Sequence, residues 1–113
     1  MSHTMTMTVE NKSGQVLSAY SVSHDWDDNL NSVAGTNLAN GASSDPVTIT
    51  TGYSDPDKYK VDVTYADGTS LSTNFSCDSS QDQTSIVMEI NSGDCNCVYY
   101  KGSGVDTGCY NKG

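Results

Sequence analysis

The chain predicts an all-β fold, an antiparallel β-sandwich of about seven or eight short strands. Three observations carry that reading. Apolar side chains recur at every second position in several runs, among them Val61, Val63 and Tyr65, then Leu71 and Phe75, then Ile86, Met88 and Ile90. That is the period of a strand with one face buried and one wet. Clusters of Gly, Asn, Asp and Pro separate the runs at about the 8–12-residue spacing of sandwich strands. No segment sustains the 3.6-residue apolar stripe of a helix.

The elements follow in order. Met5, Met7 and Val9 alternate with threonine and Glu10, and the turn Asn11-Lys-Ser-Gly14 follows. Gln15 to His24 is a second strand with imperfect alternation, read as bulged or covered on both faces and paired with the first as a hairpin. Residues 32–45 are small and polar and read as a long surface connection with one short edge strand. Pro46 opens the brief strand Val47 to Thr50, at the one strand position proline tolerates. The clearest hairpin is Lys58 to Ser76, folded at Asp67-Gly68, where a type I′ turn is expected. Thr84 to Asn91 is another strand, and Val98 to Tyr100 a short one. The expected core is Met7, Val9, Leu17, Val22, Val47, Ile49, Val61, Val63, Tyr65, Leu71, Phe75, Ile86, Met88 and Ile90. The whole chain, 1–113, reads as one domain, with 1–5 as a tag remnant and 92–113 as a disulfide-tied tail.

Charge narrows the partners. The formal charge is −9, with five lysines and no arginine. Phosphate backbones need Lys or Arg, so nucleic acid and anionic membrane are set aside. No run approaches the roughly 20 apolar residues of a transmembrane helix. A neutral ligand, a glycan or a zwitterionic lipid headgroup, fits the acidity, as do cation binding and simple solubility.

Cys77, Cys95, Cys97 and Cys109 all fall in the last third. An even count in a small acidic domain predicts two disulfides and an extracellular location. Cys95 and Cys97 are too close to bond without strain, so Cys77 pairs with one and Cys109 with the other. The rivals are a four-thiolate zinc site, whose usual spacing differs, and free thiols in a cytoplasmic protein. Met1-Ser-His-Thr-Met5 has neither the basic start nor the apolar stretch of a secretory signal.

Few residues carry chemistry. Asp25, Asp27, Asn29 and Asn31 place oxygen atoms at alternate positions, and calcium is the candidate cofactor, with Asp55 and Asp57 as further ligands. An EF-hand needs glycine and glutamate where Leu30 and Thr36 stand, so that motif fails. The rival is a solvated acidic loop. Trp26, Tyr53, Tyr99 and Tyr100 are the candidate ligand platforms, against the alternative that they pack at the rim of the core. His24 precedes Asp25, but neighbours on a strand point to opposite faces, so they do not make a catalytic pair. Glu10 and Glu89 are the only glutamates, and a two-carboxylate hydrolase would need them close together. Asn11-Lys-Ser13 and Asn74-Phe-Ser76 are N-glycosylation tripeptides. The composition is also like that of guanyl-specific fungal ribonucleases, but those need an arginine that this chain lacks.

Short motifs carry a family likeness: Val9-Glu-Asn-Lys-Ser-Gly14, Val22-Ser-His-Asp25, Leu38-Ala-Asn-Gly41, Asp45-Pro46, Thr51-Gly52-Tyr53, Asp67-Gly68 and Asn74-Phe-Ser-Cys77. On these the chain resembles a small β-sandwich family of fungi and nematodes, the domain up-regulated in long-lived worms, over roughly residues 8–91. A more distant likeness is to aegerolysins, fungal lipid-binding sandwiches, from which it departs in having one tryptophan. The resemblance implies a stress or defence protein and supplies no catalytic residues. The expected function is a non-enzymatic binding or defence module. A hydrolase using His24 or paired carboxylates and a protein-binding effector are the alternatives.

Overall fold

The computed structural model describes residues 2–52, 57–77, 83–91, 95–102 and 106–112. Every regular element among them is a strand: β1 (Ser2–Lys12), β2 (Leu17–Trp26), β3 (Asn29–Leu38), β4 (Val47–Gly52), β5 (Asp57–Tyr65), β6 (Ser70–Cys77), β7 (Gln83–Asn91), β8 (Cys95–Gly102) and β9 (Asp106–Lys112). They form two sheets, one in the order β4-β1-β7-β8-β9 and one in the order β3-β2-β5-β6. The sandwich expected from the alternation is therefore present. One pairing departs from the antiparallel expectation: β1 runs parallel to β7, from Thr6 opposite Ser85 to Lys12 opposite Asn91.

The core lies between the sheets. Met5, Met7 and Val9 of β1, Ile49 of β4 and Ile86, Met88 and Ile90 of β7 face Leu17, Val22, Val33, Val61, Val63 and Tyr65 of the other sheet, all buried. Each fully buried aliphatic side chain contributes about 1.5–3 kcal/mol, so this layer sets the register of every strand. Val47 and Leu71 are only partly buried and pack against it. The side chain of Phe75 lies outside the described residues.

Several expectations change. β1 and β2 do not form a hairpin, because they belong to different sheets. A short turn serves an inter-sheet corner as readily as a hairpin, and alternation alone does not distinguish them. Asn11 holds this corner and is fully buried. Its amide nitrogen donates to the carbonyls of Gln15 (2.8 Å) and Leu38 (2.9 Å). Its Oδ1 accepts from the backbone N–H (3.0 Å) and hydroxyl (2.7 Å) of Ser13. Its backbone donates to Ala42 and accepts from Gly41. Every polar group of Asn11 is thus used, and a sugar on its amide nitrogen would replace one of the two donated hydrogens. The first glycosylation tripeptide is therefore closed in the folded protein, whereas Asn74 of the second is exposed.

The expected surface connection after residue 31 is largely strand β3, which pairs with β2 from Trp26 opposite Asn29 to Leu17 opposite Leu38. Its residues are polar because it is an edge strand with few inward positions. The connecting residues Asp27 and Asp28 have φ of 48° and 63°, the left-handed pair of a two-residue type I′ turn. Inside this hairpin the Tyr20 ring lies across Gly35, where a Cβ would come within 2.6 Å of the tyrosine oxygen.

The β5–β6 hairpin is closed by three residues rather than two. Gly68 N–H donates to the Tyr65 carbonyl, and Tyr65 N–H to the Thr69 carbonyl. Only Gly68 has positive φ, at 90°. This is a type I turn followed by a glycine bulge. Asp67 prefers it because its Oδ1 accepts from the Thr69 N–H (2.9 Å) and hydroxyl (2.6 Å). These bonds hold the Asp67 carboxyl below its ordinary range, the Thr69 hydroxyl contributing most.

The segment expected as a tail builds β8 and β9, which extend the larger sheet beyond β7. The segment taken for a tag remnant is likewise within β1, where Ser2 to Met5 pair with Ile49 to Gly52 of β4. The backbone register sets Cys97 opposite Tyr110 and Cys109 opposite Val98. The cysteine side chains, and with them the bonding pattern, lie outside the described residues.

Two predictions follow from these corners. Asn11→Ala removes four side-chain hydrogen bonds and is expected to lower unfolding free energy by about 2–4 kcal/mol in urea titrations. Asp67→Ala is expected to destabilise at neutral pH and to match the parent at about pH 2. The sign follows from the lowered pKa: the stabilisation is present above the unfolded carboxylate pKa and is lost as pH falls through the folded one. Urea midpoints of parent and variant at the two pH values check it.

Candidate functional site

Successive residues of a strand face opposite sides, so fixing the inner face of a strand fixes what it shows to solvent. On β2 the inward residues are Val22, His24 and Trp26, all buried. On β5 they are Asp57, Tyr59, Val61, Val63 and Tyr65. The opposite, outer face of this sheet is then determined, and its cross-strand register gives it rows. One row runs Leu30, Asp25, Lys58, Ser76; the next runs Ser32, Ser23, Lys60, Asn74. A third runs Ala34, Ser21, Asp62, Ser72, in which the Ser72 hydroxyl donates to the Asp62 carboxylate. Neighbours within a row lie about 4.8 Å apart between strands.

The first two rows surround an open depression of about 570 Å³, lined by Ser23, Asp25, Leu30, Lys58, Tyr59, Lys60, Asn74 and Ser76. Leu30 is 67% exposed, one of two large apolar side chains that stand out in water among the described residues. Beside it are an acceptor carboxylate, two ammonium donors, an amide and two hydroxyls. Among the described residues neither Lys58 nor Lys60 makes an ion pair; the pairs found are those of Lys12 and His24.

Beneath this face is a buried polar group that sequence reasoning missed. His24 and Asp57 are completely buried, and His24 Nε2–H donates to Asp57 Oδ2. The Thr51 hydroxyl of β4 donates to the same carboxylate oxygen at 2.5 Å. The Tyr59 ring meets the imidazole edge-on, 5.3 Å between centroids. Asp57 therefore ties β2 and β5 to β4 of the opposite sheet. Its carboxylate does not sit on a surface turn as a calcium ligand would, because it is completely buried and bonded by His24 and Thr51. His24 is equally buried. The signal available was positional: Asp57 and Tyr59 share the parity of Val61 and Val63, the inward one.

The remaining expected site residues are dispersed. Trp26 is 4% exposed and closes the end of the core, so it is no surface platform; the alternation of β2 carries it inward with Val22 and His24. Tyr53 lies outside the described residues, and Tyr99 and Tyr100 are described by backbone alone, in β8. The expected calcium set is split by the hairpin. Asp25 lines the outer depression, Asp27 is a turn residue, and Asn29 donates its amide to the carbonyls of Trp26 and Asp27. Asn31 faces the other way, its Oδ1 accepting from the Thr50 N–H of β4 at 3.2 Å. Among the described residues no group of three or more His, Cys, Asp or Glu side chains converges on a metal position.

Glu10 and Glu89, by contrast, are brought together as direct neighbours on β1 and β7. Lys12 Nζ sits 3.4 Å from Glu10 and 3.1 Å from Glu89. This double contact raises the lysine pKa, the Glu89 hydrogen bond contributing most. The bridge accounts for two like charges tolerating adjacent positions on an exposed face.

No family model matches the chain, and no curated protein matches it. No helix of the described residues is long and apolar enough to cross a membrane.

Removing the buried carboxylate tests its role. Asp57→Ala is expected to cost about 3–5 kcal/mol in chemical unfolding, the range for breaking a buried pair from one side. A cost under about 1 kcal/mol would show that Asp57 is dispensable to the packing.

Proposed function

We propose that this protein is a non-enzymatic binding module that holds a saccharide against the outer face of the β3-β2-β5-β6 sheet. The observation that carries the reading is the make-up of the depression. Asp25, Ser23, Lys58, Lys60, Asn74 and Ser76 supply both donors and acceptors on a lattice fixed by strand geometry. A sugar ring presents hydroxyls that each need a donor and an acceptor, at separations comparable to the spacing of neighbours within a row. The exposed side chain of Leu30 offers an apolar surface to the C–H face of a ring.

This reading keeps the glycan expected from composition and moves it from loop aromatics to a sheet face. The acidic whole-chain charge supports a partner other than a polyanion. A defence role outside the cell, with oxidised cysteines and without a cofactor, accords with the same reading. Calcium is not required by it, since Asp25 acts here as a hydrogen-bond acceptor.

The test is a glycan array followed by amide chemical-shift mapping with any saccharide that binds. Shifts are expected at Ser23, Asp25, Lys58, Lys60, Asn74 and Ser76, and not at Glu10, Lys12 or Glu89 of the other sheet. Asp25→Ala is expected to weaken binding about tenfold, the worth of a charge-assisted hydrogen bond. Vesicles of phosphatidylcholine form the second arm. Binding to vesicles with none to the array would replace the sugar by a lipid headgroup; binding to neither would end the proposal.

A further inference from the structure

Two of the five lysines in a chain of formal charge −9 stand in one depression. Their surroundings differ. Lys58 lies directly opposite the Asp25 carboxylate on β2. Lys60 lies between Ser23 on β2 and Asn74 on β6, both uncharged. Along its own strand face the neighbours are Lys58 on one side and Asp62 on the other, and Asp62 is engaged by the Ser72 hydroxyl. Lys60 is thus a cation with no carboxylate across from it on either side, flanked by a hydroxyl and an amide that can both donate. Lys58 stands two residues away to add a second positive charge.

We infer that the saccharide bound here carries a carboxylate, and that Lys60, with Ser23 and Asn74 beside it, receives that group. The inference rests on the saccharide reading and narrows its ligand to an acidic sugar. A lone carboxylate suits the site where a polyanion does not. Lys60 offers a single ammonium at close range, while the whole-chain charge repels extended negative charge beyond about a Debye length, roughly 8–10 Å in physiological salt. The ammonium makes a charge-assisted bond, and the flanking hydroxyl and amide satisfy the remaining carboxylate lone pairs. Asp25, in the adjoining row beside Leu30, is left to accept from sugar hydroxyls and disfavours a second carboxylate there.

The experiment uses matched pairs of oligosaccharides ending in glucuronic, galacturonic or N-acetylneuraminic acid, each as free acid and as methyl ester. Binding is measured calorimetrically against the full chain. The acid of at least one pair is expected to bind about tenfold more tightly than its ester. Lys60→Gln is expected to abolish that difference with the urea midpoint unchanged; Lys60→Arg is expected to retain it. Lys12→Gln, on the other sheet, is the control. Equal binding of acid and ester overturns the inference and leaves the saccharide reading standing. Preference for the acid that survives Lys60→Gln overturns the assignment of Lys60. Failure of every acid and ester, together with the neutral sugars of the array, overturns both.

Discussion

Asp57 is the group on which the arrangement of this sandwich turns. It is a carboxylate with no access to water, and it persists there because His24 and Thr51 both donate to it. Leaving such a group unpaired inside costs far more than any surface contact returns. The three residues come from β2, β4 and β5, so one buried oxygen fixes the relation of the two sheets at this end. At the other end Asn11 plays a comparable part with neutral groups, tying the corner after β1 to the end of β3. The apolar layer between these two polar anchors sets which face of each strand turns inward, and the directional bonds of the anchors reinforce that register.

That register decides the surface. Because strand side chains alternate, turning His24 and Asp57 inward turns Ser23, Asp25, Lys58 and Lys60 outward. The candidate binding face is in this sense the reverse side of the buried pair. The same logic relocates Trp26, which shares the parity of His24 and is drawn into the core rim. A tryptophan surrounded in sequence by aspartates looks like a surface residue; its neighbours in space are the apolar ones.

The two faces of the molecule handle charge differently. On the larger sheet, Glu10 and Glu89 are held side by side and joined by Lys12, an arrangement that uses up its own cation. On the smaller sheet, Asp25 and Lys58 stand opposite each other without closing into such a bridge, and hydroxyls and an amide flank Lys60 in the next row. The first pattern is self-satisfied. The second leaves hydrogen-bonding capacity directed at solvent, which is what a ligand with many hydroxyls can use.

Much of the fold was legible in the sequence, because period-two burial is a local property: Val61, Val63 and Tyr65, or Ile86, Met88 and Ile90, announce an inward face without reference to anything else. Turn chemistry was legible for the same reason, although Asp67-Gly68 closed a three-residue loop where two were expected, since Asp67 gains more from capping Thr69 than from adopting a left-handed backbone itself. What only the tertiary structure decided was partnership. Whether β1 turns back on β2 or crosses to the other sheet, whether β1 accepts a parallel neighbour, and that His24 meets Asp57 and not Asp25, all depend on residues 30 or more positions apart meeting in space. So does the depression itself, whose residues come from four strands and share no motif. Alternation assigns each side chain to a face of its own strand, and the pairing of strands then determines which side chains share that face.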